Sequence, residues 1–372
     1  MAVTHIIGEI SEGTMEDLVV ALQELGKKRI LITGHTGFKG SWLTEWLLKY
    51  GAEITGVALE PDYSPSHFEQ LGLDKRIKHN ASDIRNIDRL KNIFREANPE
   101  VVFHLAAQPL VRRSYNDPKE TFDTNVGGSI NVLESVRMTP SVEALVYVTS
   151  DKCYLNKELQ RGYTEVDELG GIDPYSASKA SAELAFATYQ VSYFADRVGF
   201  AAASARAGNV VGGGDWSEDR IVPDCMRALM SREPISLRRP NATRPWQHVL
   251  EPLSGYITLA SNLLMRPQLA SGSWNFGPNE DSVHSVLDVV HECLANWGHQ
   301  LPIETQDSNH HEAGLLQLNC DKAKQKLGWH PRWDFERTMK ETTDWYKRAS
   351  QGEHVTKITQ DQITRYEETS ND

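Results

Sequence analysis

The stretch RILITGHTGFKGSWLTEWLLKYG, residues 29–51, decides the fold. An apolar run, Ile30-Leu31-Ile32, meets a glycine-rich turn, and the turn opens onto a segment in which Phe38, Trp42, Leu43, Trp46, Leu47 and Tyr50 recur at helical spacing. Strand, glycine turn and amphipathic helix together make a nucleotide-binding βα unit. Its glycines fall at Gly34, Gly37 and Gly40, a G-x-x-G-x-x-G spacing rather than G-x-G-x-x-G. Gly34 permits the tight turn out of the strand, Gly37 lets the backbone approach a pyrophosphate at the helix N-terminus, and Gly40 lets the helix pack closely on the sheet. Gly51 sits where a helix C-cap belongs.

Working outward, residues 53–59 read as a second strand ending in Glu60, about twenty residues beyond the glycines. A carboxylate there accepts hydrogen bonds from an adenosine ribose and repels a 2′-phosphate, which favours NAD over NADP; an exposed surface Glu is the plain alternative. Asp83 and Ile84 follow a third strand, with Asp83 expected at the adenine edge. A fourth strand over 101–107 runs into Ala106 and Ala107, small enough for a cofactor to pass close to the backbone. A fifth, 144–148, ends in Thr149-Ser150-Asp151-Lys152, and in parallel sheets strand carboxyl ends form the ligand crevice. Residues 200–206 make a sixth strand. Alternating strands and helices predict an α/β fold, a doubly wound, Rossmann-type parallel sheet with a smaller C-terminal substrate-binding domain. The expected division is an N-terminal extension over 1–27, a dinucleotide-binding domain over 28–205 with 244–275 returning to it, a cap over 206–243 and 276–349, and a polar, frayed tail over 350–372.

Composition narrows the function. The chain has 372 residues and a net charge of −12, which disfavours a general nucleic-acid or membrane-surface binder. Its four cysteines, Cys153, Cys225, Cys293 and Cys320, show no C-x-x-C pairing and read as thiols of a reducing cytoplasm; nothing suggests a metal site. Residues 1–28 contain several acidic residues and lack a long apolar run, so neither a signal peptide nor a membrane span is expected.

The chemistry gathers at Ser150, Tyr175 and Lys179. Tyr175 and Lys179 are four apart and share a helix face, while Ser150 comes from a neighbouring strand end. A phenol with an ordinary pKa of about 10 needs about 4 kcal/mol of help to act as a base near neutrality, and Lys179 together with an oxidised nicotinamide is expected to supply it.

These residues, in this order, resemble the extended short-chain dehydrogenase/reductases that act on nucleotide sugars. Five segments, Thr33–Leu43, Ala106–Arg112, Thr149–Tyr154, Arg206–Val210 and Arg244–Val249, narrow the resemblance to the CDP-glucose 4,6-dehydratases, over about residues 28–345. That resemblance implies a homodimeric, NAD-dependent hydro-lyase acting on a nucleotide hexose. Tyr175 would take the C4 hydroxyl proton, Ser150 would bond the developing ketone, Asp151 would protonate the departing C6 hydroxyl and Lys152 would remove the C5 proton. The related dTDP-glucose and GDP-mannose enzymes carry Glu at the position of Lys152, so that lysine either acts as a neutral base or only pairs with Asp151 and positions substrate. Lys179 would hold the nicotinamide ribose and Phe38 would border the cofactor. Arg244 is the candidate grip on the substrate diphosphate, with Asn209 and Gln108 nearby. Two rivals stand beside this reading: a 4-epimerase, which needs no acid/base pair at positions 151 and 152, and a non-catalytic dinucleotide sensor, which needs no complete Ser150, Tyr175 and Lys179 set.

Overall fold

A computed structural model describes residues 15–305 and 316–369. Seven strands form one parallel sheet: β1 (Arg29–Thr33), β2 (Glu53–Ala58), β3 (Lys78–Ala81), β4 (Val101–His104), β5 (Ala144–Val148), β6 (Ala201–Arg206) and β7 (Gly272–Asn275), in the order 7-6-5-4-1-2-3. The chain therefore leaves β1 in both directions, toward β2 and toward β4, with Ile30 paired to Ile54 on one side and Val101 on the other. This is the doubly wound arrangement, and the carboxyl ends of β1 and β4 flank its switch point.

Both faces of the sheet are covered, which is why its inner strands read as unbroken apolar runs. Ile30 and Ile32 enter one core, and Leu31 between them enters the other. The first core is lined by α2 (Phe38–Lys49) and α6 (Leu250–Met265). The second is lined by α3 (Ile87–Ala97), α4 (Ser129–Arg137) and α5 (Pro174–Tyr189). Three two-stranded pairs lie outside the main sheet. Val210–Val211 pairs with Gln247–His248, Thr243–Pro245 with Val283–Ser285, and Ile235–Leu237 with Ile303–Thr305. Together with the helices Ile221–Ser231 and Val286–Trp297 they make the smaller lobe.

Both ends of the described chain are docked. α1 (Met15–Leu25) buries Leu18, Leu22 and Leu25, and Glu24 accepts a hydrogen bond from Ser261 on α6. Residues 1–14 of the expected N-terminal extension lie outside the described residues. The expectation of a frayed tail is overturned. After α7 (Phe335–Ser350), residues Val355–Glu367 form α8, whose Ile358, Ile363 and Tyr366 are buried. Tyr366 donates to Glu251 on α6, so the tail is a clasp rather than a loose end.

Candidate active site

The glycine turn behaves as its spacing requires. Gly34 has φ +78°, and a Cβ there would fall 2.6 Å from the Ala106 backbone nitrogen. A Cβ on Gly40 would fall 2.1 Å from the Gly34 carbonyl oxygen. The protein's own backbone therefore demands glycine at both positions. Gly37 differs, because a Cβ there meets only the Gly34 oxygen, at 3.4 Å. Its backbone is extended and it caps α2 without any side-chain hydrogen bond, leaving the first helical N–H groups directed outward. A glycine that the fold itself does not need, at an uncapped helix start, fits the approach of a cofactor pyrophosphate.

Around it stand the other cofactor candidates. Glu60, exposed just beyond β2, lies 3.8 Å from His79 Nε2, and His79 Nδ1 in turn is 2.7 Å from His35 Nε2. Asp83 is less open than expected, because Arg85 binds it through both side chain and backbone and holds the carboxyl below its usual range against the effect of burial. Ile84 is buried; a Cβ on Gly128 would fall 2.7 Å from its side chain, so it packs rather than projects. Ala106 donates its backbone N–H to Thr33 Oγ1 and abuts Gly34. Ala107 follows it along the carboxyl edge of β4.

At the end of β5 the candidate catalytic residues are brought together. Ser150 extends the strand, and its hydroxyl donates to Asp151 Oδ1 at 2.8 Å. Lys152 closes the turn by donating its backbone N–H to Asp151 Oδ1 at 3.0 Å. Asp151 is buried against the next strand's end, for a Cβ on Gly208 would fall 2.1 Å from its carboxyl group. Tyr175 is the second residue of α5, whose N-terminus is capped by Asp173 and started by Pro174. Burial pushes its phenol up to about 12, opposed by the Ser150 hydroxyl and by Arg220, while Asp151 and Asp173 add to the rise. Among the principal influences on this phenol the cation is Arg220. Lys179 is itself buried, and that burial takes its amine down to about 8.

A polar floor, not foreseen from sequence, holds this set. Glu183 on α5 receives Arg206 Nε at 2.9 Å and Arg206 Nη2 at 2.8 Å. Thr149, immediately before Ser150, also donates to Glu183. Asn125 accepts from the Gln108 backbone and donates to Ser178 at 2.9 Å, tying the loop after β4 to the helix of Tyr175 and Lys179. Such partners lie tens of residues apart, so no local spacing announces them.

The substrate candidates fare unevenly. Gln108 is corrected from a ligand to a brace, since its amide donates to Leu110 O and Thr121 Oγ1 and its oxygen accepts from Leu110 N. Trp42 is fully buried and donates to Gly213 O at 2.8 Å, so it braces the glycine loop after β6. Asn209 does stand at the carboxyl end of β6, in the left-handed region with φ +50°. Arg244 lies on the Thr243–Pro245 strand, half-buried, opposite His284. Among the described residues no cluster of His, Cys, Asp or Glu could hold a metal, and no helix is long and apolar enough to cross a membrane.

Comparison with known proteins agrees with this geometry. The profile of a family described as GDP-mannose 4,6 dehydratase matches residues 31–342. The CDP-glucose 4,6-dehydratase of Salmonella typhimurium is 44% identical over 344 residues, covering 91% of this chain and 96% of its own. A UDP-glucose 4-epimerase of Halalkalibacterium halodurans is 27% identical, covering 87% of this chain and 97% of its own. Among solved structures, the epimerase Mth375 of Methanothermobacter thermautotrophicus superposes with a TM-score of 0.77 at 22% identity, covering 91% of this chain and 97% of that one. The Thermus thermophilus UDP-glucose 4-epimerase, solved with NAD, gives 0.73 at 24% identity, covering 86% and 99%.

Proposed function

The chain belongs to the GDP-mannose 4,6 dehydratase family, and from that premise we propose that it is an NAD-dependent hydro-lyase converting CDP-glucose to CDP-4-dehydro-6-deoxyglucose and water. The observation that carries the reading is Asp151, a buried carboxyl hydrogen-bonded to Ser150 at the mouth of an oxidation site. A 4-epimerase needs only the oxidation site. The choice of CDP-glucose rests on the 44% identical relative that bears that name.

The C5 proton of a hexose is not acidic until C4 is a ketone, so oxidation has to precede loss of water. Gly34, Gly37, Phe38, Gly40, Ala106 and Ala107 would hold the NAD backbone, Glu60 its adenosine ribose, Asp83 and Ile84 its adenine, and Tyr175 and Lys179 its nicotinamide ribose. Bound NAD supplies hydride uptake at C4, hydride return at C6, and a positive charge beside the phenol. Tyr175 Oη takes the C4 hydroxyl proton, and Ser150 Oγ donates to the ketone oxygen that forms. Asp151 protonates the departing C6 hydroxyl, and Lys152 is the residue that the resemblance points to for the C5 proton. Arg244 grips the diphosphate by paired hydrogen bonds, with Asn209 beside it. Incubation with CDP-glucose and NAD⁺ tests the whole: a product lighter by one water supports dehydration, and an unchanged mass rejects it.

The protein is further read as a cytoplasmic homodimer. The helices flanking β4 and β5 leave Phe122, Leu184, Val191 and Tyr193 exposed, an apolar set suited to a two-fold contact. The four free, buried cysteines suit a reducing compartment. A monomeric mass in light scattering at micromolar concentration rejects the dimer.

A further inference from the structure

Lys39 is the second residue of α2, inside the glycine-rich turn, yet its side chain turns toward the catalytic strand ends. Its Nζ stands 6.0 Å from the centroid of the Tyr256 ring on α6, within the range in which an aromatic face attracts a cation. Asp151 attracts its charge, while Arg220 and Lys179 repel it. Tyr256 is wholly buried, its hydroxyl has no hydrogen-bond partner among the described residues, and its phenol feels the charges of Tyr175 and Asp151. Four elements thus bring an amine, a carboxyl and two phenols into one chamber: the head of α2, the end of β5, α5 and α6. Lys152, by contrast, supports Asp151 through its backbone N–H, a contact that any residue except proline supplies.

We propose that Lys39 is the base that removes the C5 proton, paired with Asp151 as the acid and standing beside the face of Tyr256. The proposal rests on the dehydratase reading and replaces Lys152 within it. The step starts from a neutral amine and a protonated carboxyl. Lys39 Nζ takes the C5 proton, the electron pair of that C–H bond becomes the C5–C6 π bond, and the C6–O bond breaks with its own pair. The Asp151 proton joins the departing hydroxyl and water leaves. An ammonium and a carboxylate remain; as hydride returns to C6 the Lys39 ammonium, exchangeable with solvent, gives a proton back to C5, and Asp151 recovers its proton from solvent. Burial, the largest influence, followed by Arg220, takes the Lys39 amine down to about 7, so the neutral form it needs is accessible near neutrality.

The test compares Lys39→Met, Lys39→Arg and Lys152→Met in the full-length protein with CDP-glucose and NAD⁺. NADH absorbance follows oxidation, product mass follows water loss, and incorporation of solvent deuterium at C5 follows proton removal. Both Lys39 variants are expected to form NADH but to lose C5 exchange and product by about 10²- to 10⁴-fold. Lys39→Arg retains the cation and cannot become neutral, so it separates a base from a mere charge and keeps the test valid if the methionine variant folds poorly. Retention of C5 exchange within tenfold in Lys39→Arg overturns the proposal. So does loss of C5 exchange in Lys152→Met alone, or failure of the Lys39 variants to bind NAD⁺ by tryptophan fluorescence. Wild-type protein that leaves CDP-glucose unchanged in mass rejects the dehydratase reading itself.

Discussion

Two glutamates, both fully enclosed, are held in opposite ways. Glu183, in the floor beneath the catalytic strand ends, faces the Arg206 guanidinium at two points and also receives Thr149 and Ser204. Burial alone would raise its pKa, but Arg206 overcomes that and keeps the carboxyl ionised. Glu251, in the clasp that fastens the C-terminus to α6, receives only the backbone N–H groups of Arg332 and Trp333 and the Tyr366 hydroxyl. There burial prevails, and the carboxyl is pushed up to about 7. The fixed charge under the site anchors Thr149, one residue before Ser150, whereas the clasp holds a carboxyl whose pKa burial raises to about 7. The difference predicts that changes at the floor and its chemistry alter turnover steeply and that changes at the clasp alter only stability.

The largest effect is expected from Tyr175→Phe, which removes the proposed C4 base and leaves the floor intact. It should lower even the first hydride transfer by about 10⁴-fold, with an unchanged thermal midpoint. A variant that still forms NADH rapidly would unseat Tyr175. Next comes Asp151→Asn, which keeps size and hydrogen bonding but has no carboxyl proton to give. It should oxidise C4, accumulate bound NADH and stall, with elimination slowed roughly 10²- to 10⁴-fold, equivalent to about 3 to 5 kcal/mol. Product release at the wild-type rate would make Asp151 a structural carboxylate.

Glu183→Ala breaks the floor itself. It strands a guanidinium whose exposure is 2% and should cost about 3 to 5 kcal/mol of stability in denaturant unfolding. The same change should reduce turnover of the molecules that remain folded, because Thr149 loses its anchor one residue before Ser150.

How much of this was legible depends on sequence distance. The βα turn and the Tyr175 and Lys179 pair lie within a few residues of one another, and their spacing carries the geometry. Ser150 was legible as the residue beyond an apolar run. Asn125 and Ser178, Glu183 and Arg206, or Trp42 and Gly213 meet only once the sheet is assembled, so nothing local marks them. Lys39 lay inside a motif already assigned to phosphate binding, and only the fold shows its side chain turned toward Tyr256. The C-terminal helix was misread for a different reason. Val355, Ile358, Ile363 and Tyr366 do recur at helical spacing, but the polar residues between them masked the stripe.

The smallest effect is expected at the clasp, and it has a sign. Glu251 titrates near 4.5 when unfolded and about 7 when folded, so the folded state holds its proton more tightly. Its contribution is fully present below about pH 4.5 and is lost as pH rises to about 7, a change of roughly 3 kcal/mol at most. Glu251→Gln should abolish this part of the slope, since the amide has the same shape and no proton to lose. Tyr366 can adjust, because its hydroxyl also stands 3.0 Å from Ser254 Oγ and either group can donate. Unfolding free energies measured across pH 5 to 8 should therefore fall more steeply for the wild type than for the variant, and the turnover of folded enzyme should match between them. Parallel slopes would mean that Glu251 stays ionised in its backbone cradle, as Glu183 does beside its arginine, and the contrast between floor and clasp would then lie in geometry alone.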